Sequence, residues 1–133
     1  MYSAVVLDEK SQLKLEKWAE NNVKVNGVRL PILVQQNGWR MYCHHMTINM
    51  GPLPEYLKAE LGQPTTLEAV SLGISDKAIA VKVVGTMAGH SKNATPHITL
   101  SVSPDGKPVM SNKITEWSRI DPIVLKGTIQ EVQ

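Results

Sequence analysis

The sequence predicts an α+β fold in a single domain. Its 133 residues fit the usual length of one domain, and 42% of them are apolar, which is enough for a core without disulfide or metal crosslinks. Strand-like and helix-like segments follow one another in mixed order, and one pair of strands forms a hairpin. We see no interdomain linker and no low-complexity tract, so we expect one domain over residues 1–133.

The first two elements are a strand and a helix. Residues 2–7 are rich in β-prone apolar side chains and predict a strand. Asp8 is suited to cap a helix over residues 9–21, in which Leu15 and Trp18 share one face. We therefore expect this helix to pack on the core.

The next segments are less regular. Residues 23–34 contain a glycine and a proline among apolar residues, and they predict a strand or an irregular crossover. A turn at residues 35–38 precedes a second strand over residues 39–50. A short helix is expected at residues 55–61.

The second half of the chain begins with a predicted hairpin. Residues 67–74 and 78–84 are β-rich and are separated by a three-residue turn. Residues 85–95 are small and polar, and they form the longest candidate flexible loop. The last three segments predict a strand, a helix and a final strand, at residues 96–102, 108–117 and 123–132.

Two of the predicted strands repeat one pattern of polar residues. Residues 45–50 and 97–102 both read His–apolar–Thr–apolar–polar–apolar. Because side chains alternate between the two faces of a strand, the polar residues of each segment share one face. They are His45, Thr47 and Asn49 in the first segment and His97, Thr99 and Ser101 in the second. Two such strands side by side would surround one cleft with two imidazoles and two hydroxyls.

This set of side chains suits chemistry at phosphorus. A neutral imidazole takes a proton from the nucleophile, and a protonated imidazole gives one to the leaving oxygen. The threonine hydroxyls donate hydrogen bonds to the phosphoryl oxygens, where charge develops. No metal or other cofactor is needed, and no paired carboxylates accompany the motifs. The sequence leaves open which histidine, His45 or His97, is the base.

The two motifs, His45/Thr47 and His97/Thr99, resemble those of the 2H phosphoesterases, which are defined by two H-x-[S/T] motifs. The resemblance implies a bilobal α+β fold, with two pseudo-symmetric sheet lobes, a central groove and flanking helices. It also implies metal-independent cleavage of a nucleotide or RNA phosphodiester. The substrates of the family include 2′,3′-cyclic phosphates, 2′-5′ oligonucleotides and the cyclic-oligonucleotide immune signals that phage enzymes degrade. The spacing from His45 to His97 is short, which suggests trimmed lobes and an open groove.

Several other residues are expected to bind the substrate. Trp39 and Tyr42 lead into the first motif and Tyr2 lies in the first strand, so their rings are candidates for base stacking. Core or rim packing is the alternative for Trp39 and Tyr42. In the loop before the second motif, His90 and Lys92 are candidates for closing over the substrate, with Lys92 attracting phosphate. The alternative is that His90 is a solvated loop residue.

The neighbours of the motifs are assigned orienting or structural roles. Asn49 and Ser101 are expected to orient threonine or phosphate. His44 precedes the first motif and should face the opposite side of the strand, in a structural role. A zinc site is disfavoured because adjacent strand histidines cannot both face one ion. Cys43 is disfavoured as a nucleophile because no Asn or Asp is set to orient a partner base.

Charge and hydropathy restrict the partners of the protein. The net charge of +2 argues against coating duplex DNA, and it suits a site for one anionic ligand. No segment approaches the roughly 20 apolar residues that span a bilayer, so we expect no membrane partner. The chain has no basic leader and a single cysteine, which predicts a cytoplasmic protein, in the host cytoplasm if it is viral.

Two other classes of function compete with the enzyme. A non-catalytic nucleotide-binding module, acting as a receptor or a sponge, would use the same cleft without turnover. It could replace either histidine with another donor, and this chain keeps both. A purely structural protein would neither bind nor cleave nucleotides.

Overall fold

A computed structural model describes all 133 residues, from Met1 to Gln133. The strands are β1 (Tyr2–Leu7), β2 (Lys24–Val25), β3 (Val28–Arg29), β4 (Arg40–Met41), β5 (His45–Asn49), β6 (Pro64–Ile74), β7 (Ala78–Val84), β8 (His97–Val102) and β9 (Trp117–Val132). The α-helices are α1 (Glu9–Asn22) and α2 (Leu30–Gln36), and three 3-10 helices span Glu55–Glu60, Ala88–His90 and Pro108–Lys113. The predicted α+β class is confirmed.

The main sheet is antiparallel and nearly closed on itself. Its strand order is β4-β8-β5-β1-β9-β6-β7, and β7 also pairs with β8. Six strands therefore form a barrel-like sheet, and β4 adds to the edge of β8. Closure leaves few unpaired strand edges. The separate ribbon of β2 and β3 and the helix α2 occupy the segment predicted as a strand or irregular crossover.

The two strands that carry the His-x-Thr motifs, β5 and β8, are neighbours in this sheet. They pair antiparallel through Met46 and Ile98, both of which are fully buried. The polar faces of the two motifs consequently lie on adjacent strands of one continuous sheet.

The first helix begins where the sequence predicted. The carboxylate of Asp8 accepts a hydrogen bond of 2.7 Å from the backbone N–H of Ser11, which satisfies a donor that the helix itself cannot pair. Leu15 and Ala19 are fully buried beneath the helix. The Ser11 hydroxyl accepts from the backbone N–H of Lys126 at 2.9 Å and so joins α1 to β9.

The predicted hairpin is confirmed as β6 and β7, whereas the end of the chain differs from expectation. The segment predicted as a helix, 108–117, forms only a six-residue 3-10 helix, and β9 begins at Trp117 rather than at residue 123. Pro122 lies where the pairing of β9 with β6 shifts register, between the pairs Ala69–Ile123 and Ser71–Arg119. A proline is tolerated in a strand at such an irregularity. In the sequence, however, Pro122 indicates the end of a strand, and for this reason the strand was predicted to begin only at residue 123.

The core fills the barrel and extends beneath the helices. One cluster of 25 buried residues includes side chains from α1, α2 and the barrel strands. The inward faces of the motif strands contribute Met46, Ile48, Ile98 and Leu100, all fully buried. This apolar face anchors the polar face that bears the motifs. None of the helices combines the length and the apolar character that a membrane-spanning helix requires.

Candidate active site

A cavity of about 300 Å³ opens beside β5 and β8. It is bounded by the start of β1, by the segment before β5, by the loop before β8 and by the 3-10 helix at residues 108–113. Twelve residues line it: Tyr2, Tyr42, His44, His45, Thr47, Met50, Asn93, His97, Thr99, Pro108, Val109 and Asn112. The structure therefore brings His45, Thr47, His97 and Thr99 together around one space.

His97 is held at the start of β8 by a backbone carbonyl. Its Nδ1 lies 2.8 Å from the carbonyl oxygen of Thr95, and since a carbonyl only accepts, Nδ1 carries the proton. The Nε2 atom is then the nitrogen left for other chemistry. Burial lowers the pKa of His97, and the bond to Thr95 opposes this effect because it favours the protonated ring.

His45 lies between two aromatic rings. The Tyr2 ring centroid is 4.9 Å away at a tilt of 32°, and the His44 ring is 5.2 Å away, edge to face. Burial, together with repulsion by the charged forms of His44 and His97, lowers the pKa of His45 to about 4. Its imidazole is consequently neutral at pH 7. Burial also raises the pKa of the Tyr2 hydroxyl, so this group remains a donor.

The two motif threonines are supported by serines from neighbouring segments. The Thr99 hydroxyl lies 2.8 Å from the hydroxyl of Ser111, which is buried in the 3-10 helix over Pro108–Lys113. The Ser91 hydroxyl donates to the carbonyl of Thr47 at 2.8 Å. These bonds fix the walls of the cavity on either side of the motif strands.

His44 also lines the cavity, and its expected place on the opposite face of the strand was wrong. From Met41 to Met46 the chain advances five residues, whereas the paired segment of β8 from Ser101 to Ile98 advances three. Two extra residues therefore bulge from the sheet at this point. Cys43, which begins the bulge, adopts a left-handed backbone with a φ of 53°. The alternation of faces is interrupted there, and both histidines turn toward the cavity.

The end of the first motif also departs from expectation. The strand stops at Asn49, and Met50 is 80% exposed at the cavity wall rather than buried on the apolar face. The amide of Asn49 donates to the carbonyl of Pro52 at 2.9 Å, so it closes a turn and does not line the cavity.

Two other predicted substrate contacts are buried away from the cavity. Ser101 is fully buried, and its hydroxyl donates to the carbonyl of Arg40 at 2.7 Å, which joins β4 to β8. Trp39 belongs to the main core, so the packing alternative applies to it and stacking on a base does not. Tyr42 and Tyr2 line the cavity as expected.

The loop before β8 contributes a different residue from those predicted. Its backbone is joined to β5 by the N–H of Lys92, which donates to the carbonyl of Ile48 at 2.7 Å. The Lys92 side chain is exposed and does not line the cavity. His90 lies 3.3 Å from the Tyr56 hydroxyl, also outside it. Asn93 lines the cavity instead.

Six of the lining residues were not predicted from the sequence. They are His44, Met50, Asn93, Pro108, Val109 and Asn112. Three of them come from the 3-10 helix, which faces β8 only because the chain folds back after the turn at residues 104–106. His44 alone carried a sequence signal, because it is adjacent to a motif histidine.

The lining side chains are all uncharged or imidazole groups. They include no Lys, Arg, Asp or Glu, so an anion would be bound by neutral donors and by any imidazole that takes up a proton. Cys43 is buried in the core and burial raises the pKa of its thiol to about 12, which leaves no thiolate for nucleophilic attack. No group of three or more His, Cys, Asp or Glu side chains is placed to hold a metal ion.

The chain matches no protein-family model and no curated protein sequence.

Proposed function

We propose that the protein is a phosphodiesterase of the 2H type, which cleaves a nucleotide or RNA phosphodiester by acid–base catalysis with two histidines. The observation that carries the proposal is the meeting of His45, Thr47, His97 and Thr99 around one cavity of about 300 Å³. These residues lie far apart in the sequence, and two adjacent strands present them to the same space. A bilobal fold of the 2H kind is part of this proposal.

The surroundings of the two imidazoles favour different roles for them. His45 has a pKa of about 4, so it is neutral at pH 7 and can take a proton from the nucleophile. Burial lowers the pKa of His97 as well, but its bond to the Thr95 carbonyl opposes this effect, and a bound phosphate would favour the protonated ring further. We therefore propose His45 as the general base and His97 as the general acid.

In the proposed reaction, a nucleophilic oxygen attacks phosphorus while His45 takes its proton. The bond from phosphorus to the leaving oxygen breaks, and His97 donates a proton to that oxygen. The nucleophile is water in hydrolysis, or a neighbouring 2′-hydroxyl if the product is a cyclic phosphate. Thr47 and Thr99 donate to the phosphoryl oxygens that gain charge.

The rest of the cavity suits a nucleoside. Tyr2 and Tyr42 offer aromatic faces, and the amides of Asn93 and Asn112 offer both donors and acceptors for the edge of a base. A volume of about 300 Å³ is at the lower end for ligand pockets, which favours one nucleotide unit at a time. A 2′,3′-cyclic phosphate, an RNA end or one unit of a cyclic oligonucleotide meets this requirement.

The test is a panel of 2′,3′-cyclic mononucleotides, 2′-5′ and 3′-5′ dinucleotides, cyclic dinucleotides and cyclic trinucleotides, incubated with the protein in EDTA. Products are identified by mass spectrometry, and thermal shift is recorded in parallel. We expect cleavage of at least one class in the presence of chelator. Binding without cleavage would contradict the enzyme and favour the nucleotide-binding module, and the absence of both would contradict either function.

A further inference from the structure

His44 is a third histidine in the cavity, and it belongs to neither His-x-Thr motif. Its Nδ1 atom lies 3.0 Å from the Nδ1 atom of His45, at hydrogen-bond distance. The two rings meet edge to face with an interplanar angle of 82°. Such a bond needs the proton on one of the two nitrogens and a lone pair on the other.

The same arrangement recurs at the second motif. Nδ1 of His97 donates to the carbonyl of Thr95, and Nδ1 of His45 meets Nδ1 of His44. Each motif histidine therefore has Nδ1 engaged by a residue just before it in the chain. The nitrogen that is engaged decides which nitrogen remains available for proton transfer.

We propose that His44 is a positioning residue, which accepts a hydrogen bond from Nδ1 of His45 and thereby presents the Nε2 lone pair of His45 to the nucleophile. The inference rests on the proposed function for its role in turnover. When Nε2 of His45 takes a proton, both nitrogens of that ring carry protons, and the Nδ1–H bond to His44 stabilises the imidazolium. His44 itself neither gains nor loses a proton in the step.

The bulge explains how the side chains of two consecutive residues, His44 and His45, both face the cavity. Regular strand geometry would direct adjacent side chains to opposite faces. The left-handed backbone at Cys43 and the two extra residues of the bulge place both rings beside the cavity. The Cys43 side chain is buried beneath them, and its backbone N–H donates to the carbonyl of Thr99 at 3.0 Å, which holds the bulge against β8.

Two variants separate the hydrogen bond from the bulk of the ring. His44→Phe keeps a ring but removes the acceptor, whereas His44→Asn places an amide oxygen near the position of Nδ1. We expect His44→Phe to lower kcat by about 10-fold or more, with KM changed by less than about 3-fold, and His44→Asn to recover most of the loss. Equal losses in the two variants would contradict a hydrogen-bonding role.

A second measurement needs no substrate. Nitrogen-15 NMR of the histidine rings in the free protein at pH 7 reports which nitrogen carries the proton. We expect His45 to be protonated on Nδ1 in the wild type and in His44→Asn, and to become a mixture of tautomers in His44→Phe. A proton on Nε2 in the wild type, or no change in His44→Phe, would overturn the inference. An inactive protein with the expected tautomers would instead overturn the proposed function.

Discussion

At the scale of single residues, the proposed chemistry depends on two imidazoles, of which that of His97 is buried and that of His45 is half-buried. Both have a lowered pKa, chiefly because their rings are removed from water. Neutral rings suit a base in the free protein, whereas an acid needs the negative charge of a substrate to favour its protonated form. In the proposed mechanism, the bound phosphodiester therefore supplies the negative charge that favours the protonated form of His97.

The lowered pKa of His45 predicts sensitivity to acid. An unfolded chain binds a proton at this histidine below about pH 6.5, whereas the folded chain does so only near pH 4. The contribution of neutral His45 to the free energy of unfolding is complete above about pH 6.5, and it is lost as the pH falls from there through about 4. We expect His45→Gln to lose less free energy of unfolding than the wild type between pH 7 and pH 4.5, as measured by urea unfolding.

Asn112→Ala is the matched control, because it alters the cavity wall without removing a titratable group. It should show the pH dependence of the wild type. The same loss in His45→Gln as in the wild type would mean that His45 titrates normally.

At the scale of elements, the decisive feature is the bulge between β4 and β5. The sequence predicted one strand over residues 39–50, and the chain does follow β8 along that path as β4 and β5. The bulge between them was not predictable by pattern, because its left-handed residue is a cysteine rather than glycine or asparagine. For this reason His44 was expected on the wrong face, although His45 and Thr47 were placed in one cleft.

The helix α1 shows the opposite case, in which a local signal sufficed. Asp8 caps the helix through its own side chain, and no distant contact is needed to predict it.

We expect Asp8→Ala to lower the free energy of unfolding by about 1 kcal/mol, because the Ser11 N–H loses its acceptor. Asp8→Asn, which keeps an acceptor oxygen, should be close to the wild type in thermal or urea unfolding. A similar loss in both variants would show that the cap contributes little.

At the scale of the whole molecule, closure of the sheet brings the site together. The alternation of each motif strand was visible in the sequence, but the partners of β8 were not. Pairing of β8 with β7 on one side and with β5 on the other depends on contacts between distant residues. The cavity wall formed by Asn93, Val109 and Asn112 was missed for the same reason, since only the closed sheet brings these segments to the motifs.

Ile98 lies at the junction of β5, β7 and β8, where the sheet closes on itself. It is fully buried, and it pairs with Met46 of β5 and with Val81 of β7. We expect Ile98→Ala to cost about 2–5 kcal/mol in urea unfolding, because it leaves a cavity between three strands. Ile98→Val, which removes one methylene, should cost about 1 kcal/mol. A loss below about 1 kcal/mol for Ile98→Ala would indicate that the junction is not tightly packed.

The most direct test of the two-histidine site is turnover by single histidine variants, measured with the best substrate of the panel in EDTA. We expect His45→Ala and His97→Ala each to lower kcat by about 10²–10⁴-fold, because each removes one proton transfer. His90→Ala, which changes a histidine outside the cavity, is the control and should retain wild-type turnover. Full activity in either His45→Ala or His97→Ala, with the fold intact by thermal unfolding, would contradict the proposed mechanism.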